Sequence, residues 1–123
     1  MIRNVTKGTV VASREQWALT AAARMRGLLD HDGLEEGEAL VISPCNSVHM
    51  FFMRFPIDIV FTSAEGVVVR AISNLRPWRF TRIYFRARHA IELPVGVVAS
   101  SHTCRGDRLS LDLPPGSGGV KST

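Results

Sequence analysis

Ile57-Asp58-Ile59-Val60-Phe61-Thr62, Ser63-Ala64-Glu65-Gly66 and Val67-Val68-Val69-Arg70-Ala71-Ile72 form the most strongly patterned stretch of the chain. Two runs rich in β-branched residues flank a short polar turn that ends in glycine, the pattern of a β-hairpin. Alternation along the first run puts Ile57, Ile59 and Phe61 on one face. Asp58, Val60 and Thr62 fall on the other, which reads as a second semi-buried surface.

Before the hairpin, Ala39 to Ser43 is a short apolar strand that Pro44 breaks. Asn4 to Ala12 reads as a strand or strand pair, interrupted at Lys7-Gly8. Between them, Ser13 with Gln16 fits a capping box, and Trp17, Ala21, Met25 and Leu28 recur at helical spacing. That predicts an amphipathic helix from Ser13, ended by Asp30-His31-Asp32-Gly33. The acidic residues from Leu34 to Glu38 lack the ligand spacing of a calcium-binding loop and read as a solvated connection. Downstream, Asn74 to Arg86 has no periodicity and reads as a long, partly exposed loop. Ala87 to Leu93 is a strand, Pro94-Val95-Gly96 a turn, Val97 to Ser101 a short apolar segment and Arg108 to Leu113 the last strand. Many short strands and one early helix predict a mainly β fold: a compact β sandwich or partly closed barrel with the helix packed on it. Residues 1–113 are expected to form one globular domain, and 114–123, rich in Pro, Gly and Ser, a flexible tail.

The chain has 123 residues, 46% of them hydrophobic, enough for one core. No window has the apolar length of a membrane-spanning helix, so no membrane association is expected. The first residues lack a basic region followed by an apolar core, which points to the cytoplasm and to reduced thiols at Cys45 and Cys104. The net charge of +4 comes mainly from arginine, and Arg70, Arg76, Arg79, Arg82, Arg86 and Arg88 follow one another with no acidic residue between them.

The candidate chemistry is concentrated from Pro44 to Phe61. Cys45 and His49 are a nucleophile and a base by residue type. Four residues of extended chain span roughly 13 Å, however, which separates them unless the chain turns. Cys45, His49, Met50 and Met53 are soft-metal ligand types, but strand alternation scatters them, so neither metal nor cofactor is expected. Asp58 is a carboxylate in an apolar run and needs a partner, with Arg54, Arg79 and His49 as candidates. Trp78, Phe80, Tyr84 and Phe85 lie among the arginines of the loop, a composition found at protein interfaces and anion sites. No recognised nucleic-acid module is present, which argues against nucleic acid as partner.

Taken in order, several short motifs make the chain resemble the uncharacterised family of domain of unknown function 192. They are Arg26-Gly27-Leu28-Leu29, Cys45 to His49 running into Phe52-Met53-Arg54-Phe55-Pro56-Ile57-Asp58, Pro77-Trp78-Arg79, Glu92-Leu93-Pro94-Val95-Gly96 and Gly106-Asp107. The resemblance covers about Ala12 to Leu113. It implies a compact β sandwich with an accessory helix, and it assigns no activity and no catalytic residue. Family members commonly carry threonine after the histidine where this chain has Met50, which weakens any chemistry based on a hydroxyl beside His49.

The reading that follows is a noncatalytic binding or interaction domain with a pocket or groove bordered by His49, Asp58, Trp78 and Arg79. A small anionic ligand or a protein is the expected partner. The alternative is a small hydrolase-like enzyme using Cys45 or Asp58 with His49.

Overall fold

A computed structural model describes residues 1–26, 28 and 32–112. The tail expected from residue 114 lies outside the described residues. Among the described residues, eight strands build two sheets: β1 (Ile2–Asn4), β2 (Thr9–Ala12), β3 (Arg14–Ala18), β4 (Glu38–Ile42), β5 (Ile57–Thr62), β6 (Val68–Leu75), β7 (His89–Leu93) and β8 (Leu109–Leu111). One sheet has the order β2-β1-β8, the other β3-β4-β7-β5-β6. All neighbours are antiparallel except β3 and β4. The fold is mainly β, as expected, and the described strands form two sheets rather than a closed barrel.

The hairpin forms one side of the five-stranded sheet, with β6 at its edge and β5 paired to β7. Every residue of β5 is buried, because both faces of the strand are covered. Val60, with Val41, Ile91, Leu93 and Val68, faces Ile2, Val11, Ala12 and Leu109 of the small sheet. Ile57, Ile59 and Phe61 face the opposite way, into a second core with Met50, Met53, Ile42, Leu40 and Leu28. The alternation read from the sequence therefore describes two cores, one on each side of the same sheet.

The early helix is a correction. Arg14–Ala18 is a strand, paired in parallel with β4 through Arg14↔Glu38 to Ala18↔Ile42. Its burial alternates exposed and half-buried from Arg14 to Trp17 and ends on buried Ala18, and of the residues at helical spacing only Trp17 lies in this strand. Ser13 and Arg14 both donate their backbone N–H to the Gly37 carbonyl, which commits the chain to the sheet edge. Among the described residues the helix, α1, covers Ala21–Arg26, and its cap is Thr20, whose Oγ1 accepts from the Ala23 N–H at 3.1 Å. Val97–Ser100 is a one-turn helix, α2.

Candidate functional site

The segment from Cys45 to Met53 and the arginine-rich loop are strapped together along their length. Tyr84 N–H donates to the Asn46 carbonyl and Thr81 N–H to Val48; Met50 N–H donates to Arg79 and Trp78 N–H to Met50. Thr81 Oγ1 adds an acceptor for Val48 N–H at 3.0 Å. These backbone bonds fix a loop that lacks periodicity of its own. Met50 and Met53 point inward and are buried in the second core. His49, Phe51 and Phe52 point outward.

The outward side chains meet those of the loop and form an aromatic ridge. His49 stacks on Phe51 with ring centroids 5.0 Å apart, and Phe51 lies 6.0 Å from Trp78 and 6.4 Å from Phe80. Phe52 packs edge-on against Trp78 at 4.9 Å. Phe52, Trp78 and Phe80 remain 71%, 59% and 72% exposed. Phe52 and Trp78 have φ of 67° and 68°, a left-handed backbone that bulky residues avoid at a cost of roughly 1–2 kcal/mol each. The exposed Arg79 side chain lies on the same loop, next to Trp78.

Of the four expected site residues, His49, Trp78 and Arg79 thus belong to one segment pair, and Asp58 does not. Asp58 is fully buried. Its Oδ1 accepts from Asn74 N–H at 2.9 Å, and its Oδ2 from Gly96 N–H at 3.1 Å and Val98 N–H at 2.9 Å. The carboxylate caps α2 from a neighbouring strand and holds the end of β6, where Asn74 is left-handed. Arginine and histidine were expected as its partners, but backbone amides fill the role. Arg54 pairs instead with Asp32 at 2.7 Å.

The Cys45 thiol donates to the Ser47 carbonyl at 3.1 Å. Burial, above all, raises its pKa, which keeps it a thiol at neutral pH. His49 turns its Nδ1 toward the Phe51 N–H at 3.4 Å, so neither group activates the other. With Asp58 occupied by three amides, the geometry supplies no nucleophile and base pair at His49. Cys45 and Cys104 are both free. Among the described residues no three His, Cys, Asp or Glu side chains converge as a metal-holding group.

Two polar features escaped the sequence reading. His89 Nδ1 lies 2.7 Å from Ser43 Oγ, and burial, with Arg88 second, lowers the His89 pKa, so its imidazole is neutral at pH 7. Glu92 is buried in mid-sheet, and among the described residues its Oε1 has no hydrogen-bond partner; burial pushes its carboxyl up to about 7. The signal that could have found Glu92 is the alternation of β7, which puts it on one face with buried Ala90. The outward Phe51 and Phe52 gave no such signal, because they stand in one run with the buried Met50 and Met53.

The family model of domain of unknown function 192, described as "Uncharacterized ACR", matches residues 2–111. A UPF0127 protein of Thermococcus sibiricus is 32% identical over 117 residues, covering 92% of this chain and 75% of the relative. A UPF0127 protein of Pyrococcus furiosus is 31% identical over 111 residues, covering 86% and 93%. A crystal structure of a protein of unknown function from Novosphingobium aromaticivorans superposes with a TM-score of 0.71 at 20% identity, over 79% of this chain and 74% of that one. Another, from Sinorhizobium meliloti, whose name suggests a transcription regulator, has a TM-score of 0.69 at 19% identity, over 78% and 79%. At these identities the two structures speak to the fold alone.

Proposed function

This chain belongs to the family of domain of unknown function 192, and from that premise we propose that it is a single noncatalytic binding domain. It takes a protein partner on the ridge formed by His49, Phe51, Phe52, Trp78 and Phe80, with Arg79 at its border. The observation that carries this reading is the pair of left-handed aromatics, Phe52 and Trp78, held outward in contact with each other. A core gains nothing from them there. Strain of this kind persists where the surroundings impose it and use it. Rigid aromatic rings beside arginine are the composition of interface hot spots, in which truncating one anchor costs about 2 kcal/mol or more of binding. Asp58 serves the site at one remove, by fixing the end of β6 that leads into the loop. No described helix is long and apolar enough to cross a membrane, and two free thiols suit the reducing cytoplasm in which this reading places the domain.

A photo-crosslinking amino acid at position 80, introduced into the full chain in cells, tests the proposal. The expected result is a discrete crosslinked protein species that disappears on Trp78→Ala, while Arg108→Ala, distant in the fold, leaves it intact. Absence of any crosslink, or one indifferent to Trp78→Ala, overturns it.

A further inference from the structure

We propose that the groove between the start of β6, the 82–86 segment and the 104–107 turn binds a nucleotide carrying two or more phosphates. The groove encloses about 800 Å³, within the range of small-molecule sites. Arg70, Arg82, Arg86 and Arg105 line it from three separate segments, and no aspartate or glutamate lines it. All four arginines are exposed. Among the described residues the arginine ion pairs are those of Arg14 and Arg54, on other parts of the surface. Guanidinium groups gathered without carboxylates repel one another, and an anionic ligand with several oxygens relieves that repulsion. Their planar forks match phosphate in a bidentate way that a lysine cluster does not.

The remaining wall identifies the rest of the ligand. Phe85 is 86% exposed, which excludes a role in the core. Its neighbour Tyr84 is fixed, packed on Phe61 at 4.9 Å and tied by its backbone to Asn46. The ring of Phe85 is therefore presented from a held backbone beside Arg82 and Arg86, where a base can stack while the phosphates lie among the arginines. A nucleic-acid strand carries the same phosphates, but strand-binding grooves offer successive stacking platforms. Here Phe85 is the sole exposed aromatic among the lining residues.

Calorimetric titration of the full chain at low salt with ADP, inorganic pyrophosphate, adenosine and a short oligothymidylate decides the matter. The expected result is that ADP and pyrophosphate bind and adenosine does not. The Arg82→Ala, Arg86→Ala double variant then weakens ADP at least about tenfold, as expected for the loss of charge-assisted contacts. Phe85→Ala weakens ADP and leaves pyrophosphate unchanged. All these side chains are exposed, so the variants keep the fold, which circular dichroism checks; Arg105→Ala, on a different segment, carries the same expectation as the double variant. The proposal is overturned if ADP fails to bind at millimolar concentration, if its affinity ignores the arginine variants, or if oligothymidylate binds more tightly than ADP. None of these substitutions touches the aromatic ridge, so the two sites succeed or fail separately.

Discussion

Asp58 and Glu92 are both buried carboxyls on neighbouring strands, and their environments set them apart. Asp58 has three amide donors. Asp58→Asn puts an amide N–H among N–H groups, and we expect a loss of roughly 3 kcal/mol in urea unfolding, the scale of charged buried hydrogen bonds. A loss under about 1 kcal/mol would mean that α2 and the end of β6 find other acceptors. Glu92 has burial without compensation, and its carboxyl rises from 4.5 to about 7. The folded state therefore holds this proton more tightly than the unfolded chain does. The resulting stability is complete below pH 4.5 and is lost as pH rises through about 7, a change on the order of 3 kcal/mol. Between pH 4 and 8 the stability of the native chain relative to Glu92→Gln should fall by this amount, the difference removing the opposite slope that His89, with its lowered pKa, gives both chains; a constant difference would refute the linkage.

The elements show how far local pattern reaches. The β5–β6 hairpin was legible because alternation and turn residues agree, and the Ile57–Thr62 strand has the bounds read from the sequence. Its turn is held by a contact the sequence did not show. Gly66 has φ of +90°, and a Cβ there would collide with the backbone carbonyl oxygen of Leu109, whose own N–H donates to Gly66. Gly66→Ala should therefore destabilise by roughly 2 kcal/mol or more and lower the melting temperature by about 8 °C or more. An unchanged melting temperature would show that the turn can move away from β8. The Ser13 helix failed for the complementary reason. Five residues, of which Trp17 alone belonged to the helical set, were decided by an open strand edge at β4, a partner more than twenty residues away.

At the scale of the molecule, the chain's beginning and end close the small sheet together. β1 lies between β2 and β8. Buried Asn4 donates from Nδ2 to Thr103 Oγ1 and Asp107 Oδ2, both at 3.0 Å. Lys7 Nζ reaches the same Asp107 oxygen at 2.8 Å. Asn4, then Lys7, hold the Asp107 carboxyl far below the usual carboxylate range. That contribution is present above the ordinary aspartate pKa and is lost as pH falls through the folded value. Asp107→Asn should lower stability at pH 7 and reduce its decline in acid, as followed by denaturant melts at pH 7 and pH 3. Equal acid sensitivity in both chains would refute the linkage.

The strand-rich class, the hairpin and the breaks at Pro44 and Pro94-Val95-Gly96 were already fixed by the amino-acid sequence, because each rests on periodicity or turn chemistry within a few residues. Long-range packing set the rest: that Arg14–Ala18 joins a sheet, that Asp58 is consumed by backbone amides, and which aromatics face out. Burial and hydrogen-bond partners are set by segments distant in the chain. Phe51 and Met50 are neighbours of similar hydrophobicity, and what sends one to the surface and the other to the core is the register of bonds to Trp78, Arg79 and Thr81.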